Sequence, residues 1–134
     1  MKTVLLVDDQ IDIQSLIADV LRNHGIKVEA AADGLEAVKI LKEKPFDLII
    51  TDLKMPNEDG FSLIYKAKNT ILNSADTPVL VITGGGESFD FNVSLEGLQE
   101  SGIAVLKKPF SKQQLLDSVC EIFGVKTPED LLTA

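Results

Sequence analysis

The sequence predicts an α/β fold: a doubly wound, five-stranded parallel sheet with helices on both faces, forming a single domain. Three observations support this prediction. Five short apolar runs alternate with segments of helical periodicity, the order typical of parallel sheets joined by helices. Most of these runs are continuously apolar, as expected for strands that are covered on both faces. At 134 residues the chain is long enough for one sizeable core and too short for two.

The five apolar runs define the predicted strands. In chain order they are TVLLV (3–7), KVEAA (27–31), DLIIT (47–51), PVLVI (78–82) and IAVLK (103–107). Neighbouring parallel strands need long crossover connections, which are usually helices. We therefore expect the segments between these runs to be helical.

The first two connecting segments carry clear helical signals. Five apolar residues of the first segment repeat at the spacing of one helix face: Ile13, Leu16, Ile17, Val20 and Leu21. Gly25 follows them as a stop signal. In the second segment, Asp33 can cap a helix that carries Leu35, Val38 and Leu41. Both segments are therefore predicted as amphipathic helices.

Two further helices are predicted in the middle of the chain. The first begins at Gly60 and ends near Asn69, and its inward-facing residues are Leu63, Ile64 and Ala67. The second covers 88–101, where Gly97 interrupts an otherwise helical pattern.

The C-terminal part is predicted to hold one long helix and a short extension. Ser111 can cap the long helix, and Gly124 ends it. Its inward-facing residues are Leu115, Val119, Ile122 and Phe123. We therefore expect a domain over residues 1–124 and a C-terminal extension over 125–134 that can form a further short helix capped by Thr127.

Composition and charge exclude several classes of protein. Hydrophobic residues make up 45% and charged residues 25%, which is typical of globular domains. The longest apolar runs are far too short to span a membrane, and the N-terminus lacks a signal-peptide core, so we expect a cytoplasmic protein without a membrane partner. A net charge of −8 argues against direct nucleic-acid binding. The single cysteine, Cys120, excludes an internal disulfide and a cysteine-based zinc site.

Polar side chains follow four of the predicted strands. Asp8 and Asp9 come after the first strand, Asp52 closes the third, Thr83 closes the fourth and Lys108 follows the fifth. The carboxyl ends of parallel strands meet at one edge of a sheet, so we expect these groups to lie close together. Adjacent carboxylates at the end of a buried strand are unfavourable unless a cation or hydrogen bonds compensate them. Mg²⁺ prefers oxygen ligands, and together with a carboxylate nucleophile, a hydroxyl and an ammonium group it suits phosphoryl transfer.

Four motifs identify a family resemblance. LLVDDQ, TDLKMPNEDG, VLVITG and VLKKPF occur in the order found in the receiver domains of response regulators. Over residues 1 to about 124 the chain therefore resembles the CheY-like receiver domains of two-component signalling. This resemblance implies the flavodoxin-like version of the predicted sheet.

The resemblance also implies a role for each polar residue. Asp52 would be the phospho-acceptor, Thr83 would donate a hydrogen bond to the phosphoryl group, and Lys108 would pair with it. The implied Mg²⁺ ligands are Asp8, Asp9, Asp52 and the backbone carbonyl of Lys54.

Partners follow from the same resemblance. It implies a sensor histidine kinase or a histidine phosphotransfer protein as phosphodonor, and a downstream protein target or output domain. A homodimer formed on phosphorylation is a further expectation. The domain would be a signalling switch that catalyses only its own phosphorylation and dephosphorylation, not an enzyme acting on other substrates.

Two departures from the family pattern keep alternatives open. Val105 lies three residues before Lys108, where receiver domains usually carry Tyr or Phe, and the glycine-rich TGGGESFDFNV lengthens the segment after the fourth strand. A pseudo-receiver that binds its partner constitutively is therefore one alternative. A haloacid-dehalogenase-type phosphatase is a separate alternative, because it also uses an aspartate nucleophile and Mg²⁺. It needs a second aspartate two residues after the nucleophile, where this chain has Lys54.

Overall fold

The sheet has the predicted all-parallel, doubly wound architecture. A computed structural model describes residues 1–53, 60–84 and 103–133. Its strands are β1 (Thr3–Val7), β2 (Lys27–Ala31), β3 (Leu48–Asp52), β4 (Val79–Thr83) and β5 (Ala104–Lys107). They pair in the order β2-β1-β3-β4-β5, and every pair is parallel. Relative to the sequence prediction, β3 and β4 are shifted by one residue, and β5 begins one residue later.

The strand register aligns the ends of neighbouring strands. Val7 pairs with both Ala31 and Thr51, and Thr83 pairs with Lys107. The residues that follow or close β1, β3, β4 and β5 therefore lie at the same edge of the sheet, as the strand order requires.

Local capping signals place the helices where the sequence predicts them. The helices are α1 (Ile11–Arg22), α2 (Gly34–Glu43), α3 (Gly60–Asn69) and α4 (Lys112–Phe123), with short 3-10 helices at Leu72–Ser74 and Pro128–Thr133. The Asp33 side chain accepts a hydrogen bond from the Glu36 backbone N–H at 2.9 Å. Gly124 ends α4 in the left-handed conformation, with φ 71°, which a glycine adopts without steric penalty. These caps confirm the predicted helix ends.

Two apolar layers cover the sheet. Val4 and Leu6 of β1 belong to the layer that contains α1 and α4. Leu5 and Val7 belong to the opposite layer, which contains α2 and α3. Successive residues of a strand point to opposite faces, so one short apolar run supplies both layers. The predicted helices on both faces are confirmed.

The inward-facing positions of three helices differ from the prediction. Leu16 is 61% exposed, although Ile17 and Leu21 of the same helix are fully buried. The buried face of α1 also includes Ala18. The centre of that face therefore lies away from Leu16. Leu35, in the solvated first turn of α2, is 51% exposed. Four other predicted core residues are only partly buried: Ile13, Val38, Ile122 and Phe123.

The C-terminal segment packs on the domain as a 3-10 helix. Leu131 is 2% exposed and belongs to the α1–α4 layer, together with Cys120. The backbone N–H and the hydroxyl of Thr127 both donate to the Asp130 carboxylate, at 3.1 and 3.0 Å. The expected further helix is therefore present in 3-10 form, and the domain boundary after residue 124 stays a prediction.

Some predictions fall outside the described residues. They are the helix over 88–101 and the Lys54 carbonyl. Among the helices that the structure describes, none is long and apolar enough to cross a bilayer.

Replacing Ser111 by alanine is expected to lower the free energy of unfolding by about 1 kcal/mol. The Ser111 hydroxyl accepts from the Gln114 backbone N–H at 3.1 Å, and the Gln114 side chain accepts from the Ser111 N–H at 2.7 Å. Ser111→Ala removes the first of these bonds at the start of α4. Urea denaturation measures the change, with Ser15→Ala on the exposed face of α1 as control. Equal midpoints for the two variants would contradict a stabilising role of the cap.

Candidate functional site

Three carboxylates converge at the carboxyl edge of the sheet. One oxygen from each of Asp8, Asp9 and Asp52 lies within 4.8 Å of the other two. Asp8 is 1% and Asp52 is 6% exposed, whereas Asp9 is exposed. The predicted convergence is confirmed, and the cluster opens to solvent on the side of Asp9.

Asp8 has one hydrogen-bonded carboxylate oxygen and one buried oxygen without a donor among the described residues. Its Oδ1 accepts from the Gln10 backbone N–H at 2.8 Å. No described residue donates a hydrogen bond to its buried Oδ2. Burial raises the pKa of Asp8, the Gln10 N–H lowers it, and the nearby charge of Asp52 raises it further. Additional positive charge would therefore stabilise the ionised form of this buried carboxylate.

This donor set fits a hard divalent cation. It consists of carboxylate oxygens, which Mg²⁺ and Ca²⁺ prefer, and it leaves an open side where water can complete the coordination. The buried Oδ2 of Asp8 is an acceptor that such an ion would satisfy. Asp8, Asp9 and Asp52 could therefore hold Mg²⁺, and their role as its ligands stays a prediction.

Lys108 brings a positive charge to the cluster. It follows β5, and its backbone N–H donates to the Thr83 carbonyl at 2.7 Å. Its Nζ lies 3.1 Å from Asp52 Oδ2 and 3.3 Å from Gln10 Oε1. The Lys108–Pro109 peptide bond is cis. The structure thus pairs the predicted lysine directly with the predicted acceptor.

The remaining predicted residue, Thr83, lies at the end of β4, beside β3. It is fully buried, and its backbone carbonyl holds the start of the Lys108 loop. On the other side of Asp52, the Thr51 hydroxyl donates to the Asp52 backbone carbonyl at 2.8 Å. Backbone contacts on buried elements therefore fix the ends of β3 and β4.

Two glutamines were not singled out by the sequence analysis. The Gln14 side-chain amide donates to the backbone carbonyls of Asp8 and Ala31, at 3.0 and 3.2 Å, and holds the loop that carries Asp8 and Asp9. Gln10 contacts both Asp8 and Lys108. One feature of the sequence could have pointed to these two glutamines. They are four residues apart at the start of a predicted helix, which places both on the same side of it.

The chain matches the family described as response regulator receiver domain over residues 4–120. A relative named "Probable chemotaxis protein CheY" from Rhizobium etli is 32% identical over 122 residues, which cover 90% of this chain and 92% of the relative. The protein PetR from Rhodobacter capsulatus is 34% identical over 113 residues, which cover 84% of this chain and 45% of PetR. The chain thus spans nearly all of the first relative and less than half of the second.

Solved structures show the same relationship. The chemotaxis response regulator CheY4 of Vibrio cholerae has a TM-score of 0.80 and 31% identity, covering 91% of this chain and 98% of that chain. A CheY-like receiver domain protein from Methanospirillum hungatei has a TM-score of 0.78 and 27% identity, covering 90% of this chain and 92% of that chain. The family match, these relatives and the parallel sheet agree: the chain belongs to the response regulator receiver domain family of two-component signalling.

Proposed function

We propose that Asp52 accepts a phosphoryl group, in a Mg²⁺-dependent reaction, from a histidine kinase or a histidine phosphotransfer protein, and that this modification switches partner binding. The observation that carries the proposal is the convergence of Asp8, Asp9 and Asp52, with Lys108 Nζ 3.1 Å from Asp52 Oδ2. Within the receiver family, such an arrangement serves a signalling switch better than an enzyme that acts on other substrates.

The proposed transfer is a displacement at phosphorus. A carboxylate oxygen of Asp52 attacks the phosphorus atom and forms a new P–O bond. The P–N bond to the donor imidazole breaks, and the leaving nitrogen keeps the electron pair and takes up a proton. The product is a mixed anhydride of aspartate and phosphate, which water can hydrolyse and which therefore suits a reversible signal.

The groups around Asp52 would stabilise the charge on the transferring phosphoryl oxygens. Mg²⁺, when bound by Asp8, Asp9 and Asp52, supplies positive charge next to those oxygens. Lys108 is close enough to Asp52 to follow the phosphoryl group with its ammonium. Thr83, at the neighbouring strand end, would donate its hydroxyl hydrogen bond to one phosphoryl oxygen. Positioning and charge neutralisation account for most of the catalysis of such a transfer.

An apolar groove beside Lys108 supports a protein as phosphodonor. The groove has a volume of about 420 Å³ and is lined by Ile13, Leu16, Gly84, Lys108, Pro109 and Phe110. Leu16 and the nearby Ile11 are 61% and 72% exposed. Because Lys108 both lines the groove and contacts Asp52, a donor that reaches Asp52 from this side would cover these apolar side chains. We propose that the phosphodonor protein docks here.

The alternatives are less well supported. The family match disfavours a haloacid-dehalogenase-type phosphatase. A constitutive pseudo-receiver would not need a buried carboxylate oxygen beside two further carboxylates and a lysine.

Val105, at the usual aromatic position, pairs with Val81 and is partly buried on the α2–α3 side. A β-branched side chain has little rotamer freedom, so we propose that switching relies on other residues.

Incubation with acetyl phosphate and Mg²⁺ tests the proposed function. We expect the intact mass of the chain to increase by one phosphoryl group. Adding excess EDTA should prevent the increase, because the metal charge would be missing. An unchanged mass in the presence of both reagents, for a folded protein, would contradict the proposal.

A further inference from the structure

Gln10 touches both halves of the candidate site. Its backbone N–H donates to Asp8 Oδ1 at 2.8 Å, and its side-chain Oε1 accepts from Lys108 Nζ at 3.3 Å. It precedes α1 at the N-cap position, but its side chain caps no backbone group of the described helix. The Gln10 side chain is therefore directed to Lys108 and does not serve to stabilise the helix start.

Lys108 needs more than one acceptor to be held in place. A lysine ammonium has three donors at the end of a flexible stem, and ordering the stem is entropically unfavourable. The Lys108 side chain is 20% exposed and that of Asp52 is 8% exposed. Water can therefore compete at Lys108, and a single contact with Asp52 leaves the ammonium free to pivot. Gln10 supplies a second, uncharged acceptor from the loop that also holds Asp8.

The contact between Gln10 and Lys108 could persist when Asp52 is modified. A phosphoryl group on Asp52 would move the negative charge outward from the carboxylate, and the ammonium would have to follow it. Because the Gln10 backbone is fixed to Asp8, its side chain can keep one ammonium hydrogen while another turns to the phosphoryl oxygens. The contact thus connects residues that are 98 positions apart in the chain.

We infer that Gln10 is a positioning residue, which holds the Lys108 ammonium between the β1–α1 loop and Asp52. Its effect on the reaction rests on the proposed function of Asp52, but its effect on the orientation of Lys108 does not. The two can therefore be tested separately.

The test compares Gln10→Met, which removes the acceptor at similar length, with Gln10→Glu, which keeps it. Gln113→Met, at an exposed glutamine of α4, is the matched control. The first readout is the ¹H–¹⁵N signal of the Lys108 ammonium, assigned with Lys108→Arg. We expect a resolved signal in the wild type, Gln10→Glu and Gln113→Met, and loss of that signal through faster exchange with water in Gln10→Met.

The second readout is the rate of phosphorylation by acetyl phosphate in Mg²⁺. We expect Gln10→Met to be slower by about fivefold, the effect of losing one hydrogen bond, and Gln113→Met to be unchanged. An unaltered Lys108 signal and rate in Gln10→Met, or no resolved Lys108 signal in the wild type, would overturn the inference. If the wild type is not phosphorylated at all, the proposed function fails, and the ammonium signal still decides whether Gln10 positions Lys108.

Discussion

Asp52→Asn is expected to abolish the mass increase that acetyl phosphate and Mg²⁺ produce, lowering the rate of phosphorylation more than about a hundredfold. The amide that replaces the carboxylate lacks an anionic oxygen and is a very poor nucleophile. It also loses the ion pair with Lys108, whose Nζ is 3.1 Å from Asp52 Oδ2 in the wild type. Intact mass spectrometry at several time points measures the loss.

Asp19→Asn is the matched control for this experiment. Asp19 is exposed on α1, so the same chemical change there should leave the phosphorylation rate unaltered. The circular dichroism of both variants should match that of the wild type. Retained phosphorylation of folded Asp52→Asn would move the acceptor role to another carboxylate of the cluster, and peptide mapping would identify which one.

Asp8→Asn is expected to stabilise the metal-free protein by about 1–3 kcal/mol and to eliminate its stabilisation by Mg²⁺. The asparagine can still accept from the Gln10 N–H, as Asp8 Oδ1 does at 2.8 Å. Its amide N–H₂ would replace the buried Oδ2, for which no described residue is a donor, and could donate to Asp52. The same change removes a metal ligand, so Mg²⁺ should no longer raise the free energy of unfolding. Urea denaturation in EDTA and in Mg²⁺ measures both effects.

The stability gain should depend on pH. Burial raises the pKa of Asp8 in the folded chain above its ordinary value of 3.8. Between these two pKa values the folded chain therefore binds the proton more tightly than the unfolded chain. The free energy of unfolding therefore decreases as the pH rises from about 3.8 through the raised pKa, and the full penalty is present at higher pH. In EDTA, the advantage of Asp8→Asn should be largest at pH 7 and should shrink towards pH 4.

Asp19→Asn again provides the control, with an expected change within about 0.5 kcal/mol at each pH. An Asp8→Asn variant that is less stable than the wild type in EDTA would show that the buried carboxylate is compensated without metal. A gain that does not vary with pH would show that the ionisation of Asp8 is not its source.

The sequence by itself determined the fold class and the membership of the acidic cluster. Each strand was visible as a local apolar run, and the helix ends at Asp33, Ser111 and Gly124 were visible because capping depends on residues within one turn. Asp8 and Asp52 could be assigned to one edge because parallel strands bring their carboxyl ends together. These predictions needed no knowledge of distant contacts.

Only the tertiary structure decided which side chains meet around that cluster. The strand order already placed Lys108 near Asp52, 56 residues away, but the contact of Lys108 with Gln10, 98 residues away, was specified by no local pattern. The same holds for Leu16, which the helical period places near the core but the packing of α1 leaves 61% exposed. Leu131 shows the converse, since it is buried only because the C-terminal segment folds back onto the α1–α4 layer. Periodicity and capping act within a few residues, whereas burial and side-chain pairing depend on how whole elements pack.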